Sequence, residues 1–248
     1  KNAGAEALFD ISFFAKPGQT VGIIGGTGSG KSTLVNLVPN FYSATKGQVL
    51  IDGVNADEYD RAALLSAVSV VPQKAVLFEG TIRSNLLMGN PNASEAELFA
   101  ALETAQAAEI VRTKPNGIDE PVLRGGSNFS GGQKQRLSIA RALVHGGRIL
   151  ILDDSASALD FATDAKLRAA IRKLSPAPTT FIVSQRAASV MFADFIIVLD
   201  EGRAVGHGTH EELLRNCAVY REIYASQFPD EAAKLNVPNN TPEGDAAK

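Results

Sequence analysis

The stretch Thr20-Val-Gly-Ile-Ile-Gly25-Gly-Thr-Gly-Ser-Gly30-Lys31-Ser32-Thr33-Leu-Val-Asn-Leu-Val38 decides the fold. It begins with an apolar, β-branched run that does not alternate with polar residues, which reads as a strand buried on both faces. It ends in a helix-like run, and between the two lies G-x-x-x-x-G-K-S. A glycine-rich turn with a strand before it and a helix after it is the setting of a phosphate-binding loop. The glycines let the backbone N–H groups of Gly26, Thr27, Gly28, Ser29 and Gly30 converge on phosphate oxygens at a helix N-terminus. Lys31 brings a positive charge to the β- and γ-phosphates, Ser32 offers its hydroxyl to magnesium, and Thr33 belongs to the same first turn. Such loops serve many families, so this stretch points to a nucleotide and no further.

Working outward, similar apolar runs recur at Val49 to Ile51, Ser69 to Val71, Arg148 to Leu152, Thr179 to Val183 and Phe195 to Leu199. Strands of that kind between helices make an α/β fold with a parallel sheet. Ser94-Glu-Ala-Glu97 has the spacing of a capping box and opens a helix expected to run to about Glu109. Thr209-His-Glu-Glu212 repeats the signal for a helix to about Gln227. The last stretch, 229–248, has few apolar residues and three prolines and reads as a polar, disordered tail.

Composition narrows the function classes. A chain of 248 residues that is 45% hydrophobic is long enough to bury a sizeable core. Its 24 Lys and Arg are outnumbered by 27 Asp and Glu, so it lacks the basic footprint of a nonspecific nucleic-acid binder. One cysteine, Cys217, excludes an internal disulfide framework. The apolar runs fall well short of the roughly 18 to 20 residues needed to span a bilayer. A start at Lys1 without Met reads as a piece of a longer protein.

Two further segments carry chemistry. Arg148-Ile-Leu-Ile-Leu-Asp153-Asp154 is an apolar strand ending in a pair of carboxylates, and an Asp there, beside a phosphate loop, is placed to hold magnesium. That role goes to Asp153. In Asn128-Phe-Ser130-Gly131-Gly132-Gln133, Ser130 is positioned to cap a helix whose first turn is two glycines, leaving N–H groups open to an anion. One nucleotide does not need two such cradles from one domain.

Here the sequence resembles the ATP-binding cassette (ABC) family, whose signature is L-S-G-G-Q, with Phe129 in place of Leu. The resemblance implies a P-loop NTPase, RecA-like core with an antiparallel β subdomain and an α-helical signature subdomain, the latter over about 74–146, within a nucleotide-binding domain over 1–228. It implies ATP and Mg2+ as ligands, and head-to-tail pairing with a second cassette, so that Ser130, Gly131, Gly132 and Gln133 close over the partner's ATP. Gln73 matches the Q-loop, which touches magnesium or the attacking water, and Ser157-Ala-Leu-Asp160 matches the D-loop at the dimer interface. Phe78 to Leu86 and Glu120 to Ser127 are similar to exporter segments, so transmembrane domains are expected to contact Gln73 to Leu86 and Glu120 to Ser127. Arg124 stands where the exporter pattern has Glu. The transmembrane domain and the aromatic residue that stacks on adenine are expected upstream of Lys1, with the cassette at the cytoplasmic face of a membrane.

Two departures from the family bear on mechanism. The hydrolytic base next to the magnesium Asp is normally Glu and here is Asp154; the switch histidine after the following strand is replaced by Gln185. Both together, beside an intact P-loop and signature, resemble the degenerate half of a heterodimeric exporter, whose second cassette is expected to be a different chain carrying Glu and His. A slow homodimeric exporter and, behind it, a soluble non-transport ABC ATPase are the alternatives. Ser32 and Ser130 lie too close in sequence for the long coiled coil of DNA-repair members. The three histidines, His145, His207 and His210, are expected on the surface and away from the site.

Overall fold

The computed structural model describes residues 7–155 and 157–234. In chain order these contain β1 (Thr20–Gly25), α1 (Lys31–Asn36), β2 (Leu50–Ile51), β3 (Val54–Asn55), α2 (Arg61–Ala67), β4 (Val68–Val71), β5 (Gly80–Thr81), α3 (Ile82–Leu87), α4 (Glu95–Thr104) and α5 (Ala108–Arg112). There follow β6 (Pro121–Val122), α6 (Gly131–His145), β7 (Ile149–Asp153), α7 (Phe161–Arg172), β8 (Thr179–Ser184), α8 (Ala187–Val190), β9 (Phe195–Asp200), β10 (Arg203–Gly208), α9 (His210–Asn216), α10 (Ala218–Gln227) and α11 (Pro229–Lys234).

Six strands form one sheet in the order β10-β9-β1-β8-β7-β4. Five are parallel and β10 runs antiparallel to β9 at the edge. The non-alternating apolar runs are explained by the helices on both faces. Val21, Ile23, Ile151, Phe181, Val183 and Ile197 point to one side, where Leu34 and Val35 of α1 and Leu64 of α2 cover them. Ile24, Leu150, Leu152, Ile182, Ile196 and Val198 point to the other, packed with Leu86, Leu98, Leu137, Ile139 and Tyr220. The antiparallel element implied by the resemblance is, apart from β10, two short pairs: β2 with β3 and β5 with β6. Helices α3 to α6 occupy the range expected for the helical subdomain.

Three expectations from the sequence are corrected. The helix expected to reach Glu109 stops at Thr104, because Gln106 takes a left-handed φ of 56° and turns the chain before α5 begins. Its carbonyl is then taken by Arg136 at 2.8 Å. The helix expected to run from Thr209 to Gln227 is broken at Cys217, which adopts an extended conformation and buries its side chain against Gly206 of β10; a Cβ at 206 would lie 2.6 Å from Sγ. The polar tail does not begin at 229, since Pro229–Lys234 is helical, buries Ala232 and accepts a hydrogen bond from the Tyr224 hydroxyl at Glu231, 2.6 Å. The rest of the expected tail, 235–248, lies outside the described residues.

The register puts the chemistry on one edge. Ile24 pairs with Ser184 and Asp153 with Val183, so Gly25, Asp153 and Gln185 leave neighbouring strands at their C-terminal ends. That is the edge at which open α/β sheets bind ligands.

Candidate active site

The phosphate loop is held from behind and open in front. The Gly202 N–H, in the β9–β10 turn, donates to Ser29 O at 3.2 Å. Gly25 has no room for a side chain, because a Cβ there would collide with the Leu199 carbonyl. Gly28 and Gly30 turn the loop through left-handed φ of 81° and 96°. Gly26, Thr27 and Gly28 face solvent, while Ser29 is buried. Lys31, at the start of α1, is folded back: its Nζ donates to Gly25 O at 2.9 Å, Gly26 O at 2.6 Å and Ser29 Oγ at 3.4 Å. Burial pushes its pKa down, and the negative charges of Asp154 and Asp153 act the other way. The ammonium is thus fixed inside a ring of loop oxygens. Thr33, one residue into the turn after Ser32, is half-buried.

Beside the loop, Ser32 Oγ donates to Asp153 Oδ1 at 2.9 Å. Burial raises the Asp153 pKa, the Ser32 hydrogen bond lowers it, Asp154 raises it and Lys31 lowers it. Gln73 Nε2 donates to Asp154 Oδ2 at 3.0 Å, and Thr27 Oγ1 donates to Gln185 Oε1 at 3.3 Å. Ser32, Gln73, Asp153, Asp154, Thr27 and Gln185 therefore form one continuous polar surface around the loop. A hydroxyl, a carboxylate and an amide oxygen are hard donors of the type magnesium takes, which keeps most of its other positions for phosphate and water. Among the described residues no group of three or more His, Cys, Asp or Glu is clustered to hold a metal unaided. The donor set fits a cation that arrives with a nucleotide.

The family model described as "ABC transporter" matches residues 8–157, more than half of the chain. The chain belongs to the ABC transporter family. An uncharacterized ABC transporter ATP-binding protein of Mycobacterium tuberculosis (strain H37Rv) is 47% identical over 228 residues, 91% of this chain and 39% of that protein. YfiB of Bacillus subtilis, another ABC transporter ATP-binding protein, is 44% identical over 92% of this chain and 40% of its own length. A putative multidrug export ATP-binding/permease protein of Staphylococcus aureus (strain NCTC 8325) is 40% identical over 90% and 39%. A solved bacterial Atm1-family ABC exporter with ATP bound superposes with a TM-score of 0.87 at 37% identity, over 91% of this chain and 40% of that one. The chain spans about two fifths of the length of the curated relatives it matches.

The remaining residues of this ABC domain lie apart from the loop. Ser130 caps α6 in a full capping box: its Oγ accepts from Gln133 N at 3.3 Å, and its own N–H donates to Gln133 Oε1 at 3.0 Å. Gly131 is open, whereas a Cβ on Gly132 would sit 3.0 Å from the Ala158 carbonyl. The start of α6 thus lies against Ala158, and a side chain at 132 would have to push that carbonyl aside. Asp160 caps α7 and accepts from Thr163 N at 2.9 Å and Thr163 Oγ1 at 2.7 Å. Among the described residues no hydrogen bond joins Ser130, Gly131, Gly132, Gln133 or Asp160 to Gly26–Ser32.

Three residues that the sequence did not single out shape this edge. Asn85, buried in α3, binds the segment before it through Phe78 N and O and Thr81 O. Arg186 donates to Leu159 O and Ser157 O, tying Gln185's neighbour to the D-loop. Gln227, at the end of α10, bonds the backbone on both sides of Arg186. No local motif announces any of them, because each acts on chain that is remote in sequence or on main-chain atoms.

The histidines lie away from this edge, as expected. His145 and His210 depart from the surface reading: His145 is half-buried with Nδ1 3.0 Å from Ser69 Oγ, and His210 packs against Tyr220 and Tyr224, with Nδ1 2.8 Å from the Tyr220 hydroxyl. Arg124 is exposed in a turn whose Gly125 and Gly126 are left-handed. Asn128 braces that turn by accepting from Leu123 N and donating to Pro121 O.

Proposed function

We propose that this chain is the nucleotide-binding cassette of an ABC exporter, that it binds MgATP and hydrolyses it slowly, and that its signature segment completes the site of a second cassette. The observation that carries the slow-site reading is Asp154: its carboxylate is held 3.0 Å from the Gln73 amide, immediately after the Asp153 that fits the cation. A base on Asp is one methylene shorter than on Glu, and a misplacement of about 1 Å costs on the order of 100-fold in rate. Gln185 adds to the deficit. It accepts from Thr27 and is able to bond a phosphate oxygen, but it has no proton or charge to give as an imidazolium has.

In this reading each residue has a defined task. Backbone N–H groups of Gly26 to Gly30 and the Lys31 ammonium bind the phosphates. Ser32, Asp153 and Gln73 would hold magnesium, which would supply neutralisation of phosphate charge. Asp154 accepts a proton from the attacking water, and Gln73 orients that carboxylate. Ser130, Gly131, Gly132 and Gln133 face outward to the second cassette, with Asp160 ending the segment beside them.

Export is supported by the Staphylococcus relative named for it and by the likeness to an Atm1-family exporter. The transmembrane partner is proposed to dock where Val76, Phe78, Met88 and Leu123 leave apolar side chains exposed, around 73–86 and 120–127. In this reading the cassette sits at the cytoplasmic face of a membrane; among the described residues no helix is long and apolar enough to cross one. The test is Asp154→Asn in the assembled transporter. ATP turnover is expected to change less than about twofold, because the second cassette carries it. Loss of all turnover would make Asp154 a working base and refute the slow-site reading.

A further inference from the structure

We infer that Gln227, at the C-terminal end of α10, is a positioning residue for the ATP site. Its amide spans one dipeptide: Nε2 donates to Gln185 O and Oε1 accepts from Ala187 N, both at 2.8 Å. Those two bonds fix the chain where it leaves β8 and before it enters α8. Between them stands Arg186, whose guanidinium donates to Leu159 O at 3.2 Å and Ser157 O at 2.9 Å and lies over the Phe161 ring at 5.6 Å. Ser157 in turn donates from its Oγ to Asp154 O at 2.7 Å, and its N–H reaches the same oxygen at 3.2 Å. One exposed side chain therefore begins a continuous series of bonds that reaches Gln185 in one direction and the D-loop and Asp154 in the other.

Gln227 is exposed, yet both halves of its amide are used on main-chain groups, one of them the N–H of the fully buried Ala187. What it gains is orientation. The Gln185 side chain, bonded among the described residues only to Thr27 at 3.3 Å, has few constraints of its own, so its direction follows from where its carbonyl is pinned. The C-terminal helix pair thereby sets the reactive edge without touching nucleotide.

This rests on the proposed roles of Gln185 and the D-loop, and the experiment separates the two. In the full transporter with its second cassette inactivated, so that turnover reports this site, Gln227→Met keeps length and removes both bonds, while Gln227→Glu keeps the acceptor for Ala187 N and loses the donor to Gln185 O. A positioning role predicts that Met lowers kcat by about fivefold or more with the KM for ATP within about twofold, with Glu in between. Arg186→Lys should lower kcat too, and the double variant should fall no further than the worse single one, because both act through one series of bonds. Gln227→Glu keeps the Ala187 N–H partnered and should hold its thermal midpoint within about 2 °C of wild type, whereas Gln227→Met strands that buried N–H and should lower the midpoint by a few degrees. Wild-type kcat in Gln227→Met, a fall in kcat confined to variants that lose thermal stability, or fully additive losses with Arg186→Lys would each overturn the inference. Failure of the slow-site reading shows instead in Asp154→Asn and leaves the Gln227 comparison intact.

Discussion

Replacing Asn85 by Leu is expected to destabilise the domain by about 3 kcal/mol or more and to uncouple the segment 78–88 from the rest. Asn85 is 3% exposed and its amide is fully used: Oδ1 accepts from Phe78 N at 2.8 Å, and Nδ2 donates to Phe78 O at 2.8 Å and Thr81 O at 2.9 Å. Three bonds at about 1 kcal/mol each give roughly 3 kcal/mol. Thr81 O retains the Ser84 hydroxyl, so it is not left bare, whereas both Phe78 backbone groups lose the partner that Asn85 supplied. Each stranded group costs up to a further 1–3 kcal/mol where water cannot reach it. The apolar gain of Leu, about 1–2 kcal/mol when buried, offsets part of this. Urea denaturation of the chain measures the difference directly. Phe78 and Met88, exposed at 50% and 52%, ride on this segment, so transport-coupled ATPase should fall further than ATP binding. A Leu variant within about 0.5 kcal/mol of wild type would mean the three bonds do not hold the segment, and the reasoning fails.

Three other outcomes follow. Lys31→Ala removes a buried, charge-assisted phosphate contact of about 2 kcal/mol, so calorimetry on a chain that includes the adenine-stacking segment should find ATP bound about 30-fold more weakly; equal affinity would sink the assignment. Burial holds the His210 pKa below its ordinary 6.5, against the opposing pull of Glu211 and Glu231. The unfolded chain therefore binds the proton more readily, and the stability this histidine contributes is present above pH 6.5 and lost as pH falls through its lowered folded value; thermal midpoints should drop from pH 7 to 5 in wild type and less steeply in His210→Gln. Asp154→Glu with Gln185→His should raise hydrolysis at this site, measured in a transporter whose second cassette is inactivated, and no gain would argue against both assignments.

The sheet was legible because its signal is local. A strand covered on both faces has to be apolar at every position, and the runs at Thr20, Thr179 and Phe195 say so without help from the rest of the chain. β10 was not legible: Arg203-Ala-Val-Gly-His-Gly is an exposed edge, held by pairing to β9, and its side chains have no reason to be apolar. Helix ends were legible where a side chain caps them, as at Ser94, Ser130 and Thr209, and illegible where a backbone twist ends them, as at Gln106. The site divides the same way. Gly26 to Ser32, Asp153 and Gln73 announce themselves by residue type and spacing, while Gln227 works through main-chain atoms 42 and 40 residues away.

The two departures from the family pattern are also not independent of each other. The Asp154 N–H donates to Val183 O at 2.9 Å, so the residue that stands for Glu is bonded to the strand end two residues before the one that stands for His. Asp154 has a left-handed φ of 46°, a strained conformation for a residue with a side chain, and it is kept there by that bond and by Ser157 on its carbonyl. A longer carboxylate at 154 would have to find its place against Gln73 without moving this backbone, and an imidazole at 185 would have to replace the Thr27 contact. Groups tied to one short stretch of the same strand end are close enough to couple, so their effects are not expected to add. Under the slow-site proposal, restoring Glu alone is therefore expected to return less than half of what the pair returns in logarithm of rate, and single-variant rates that sum to that of the pair would refute the coupling.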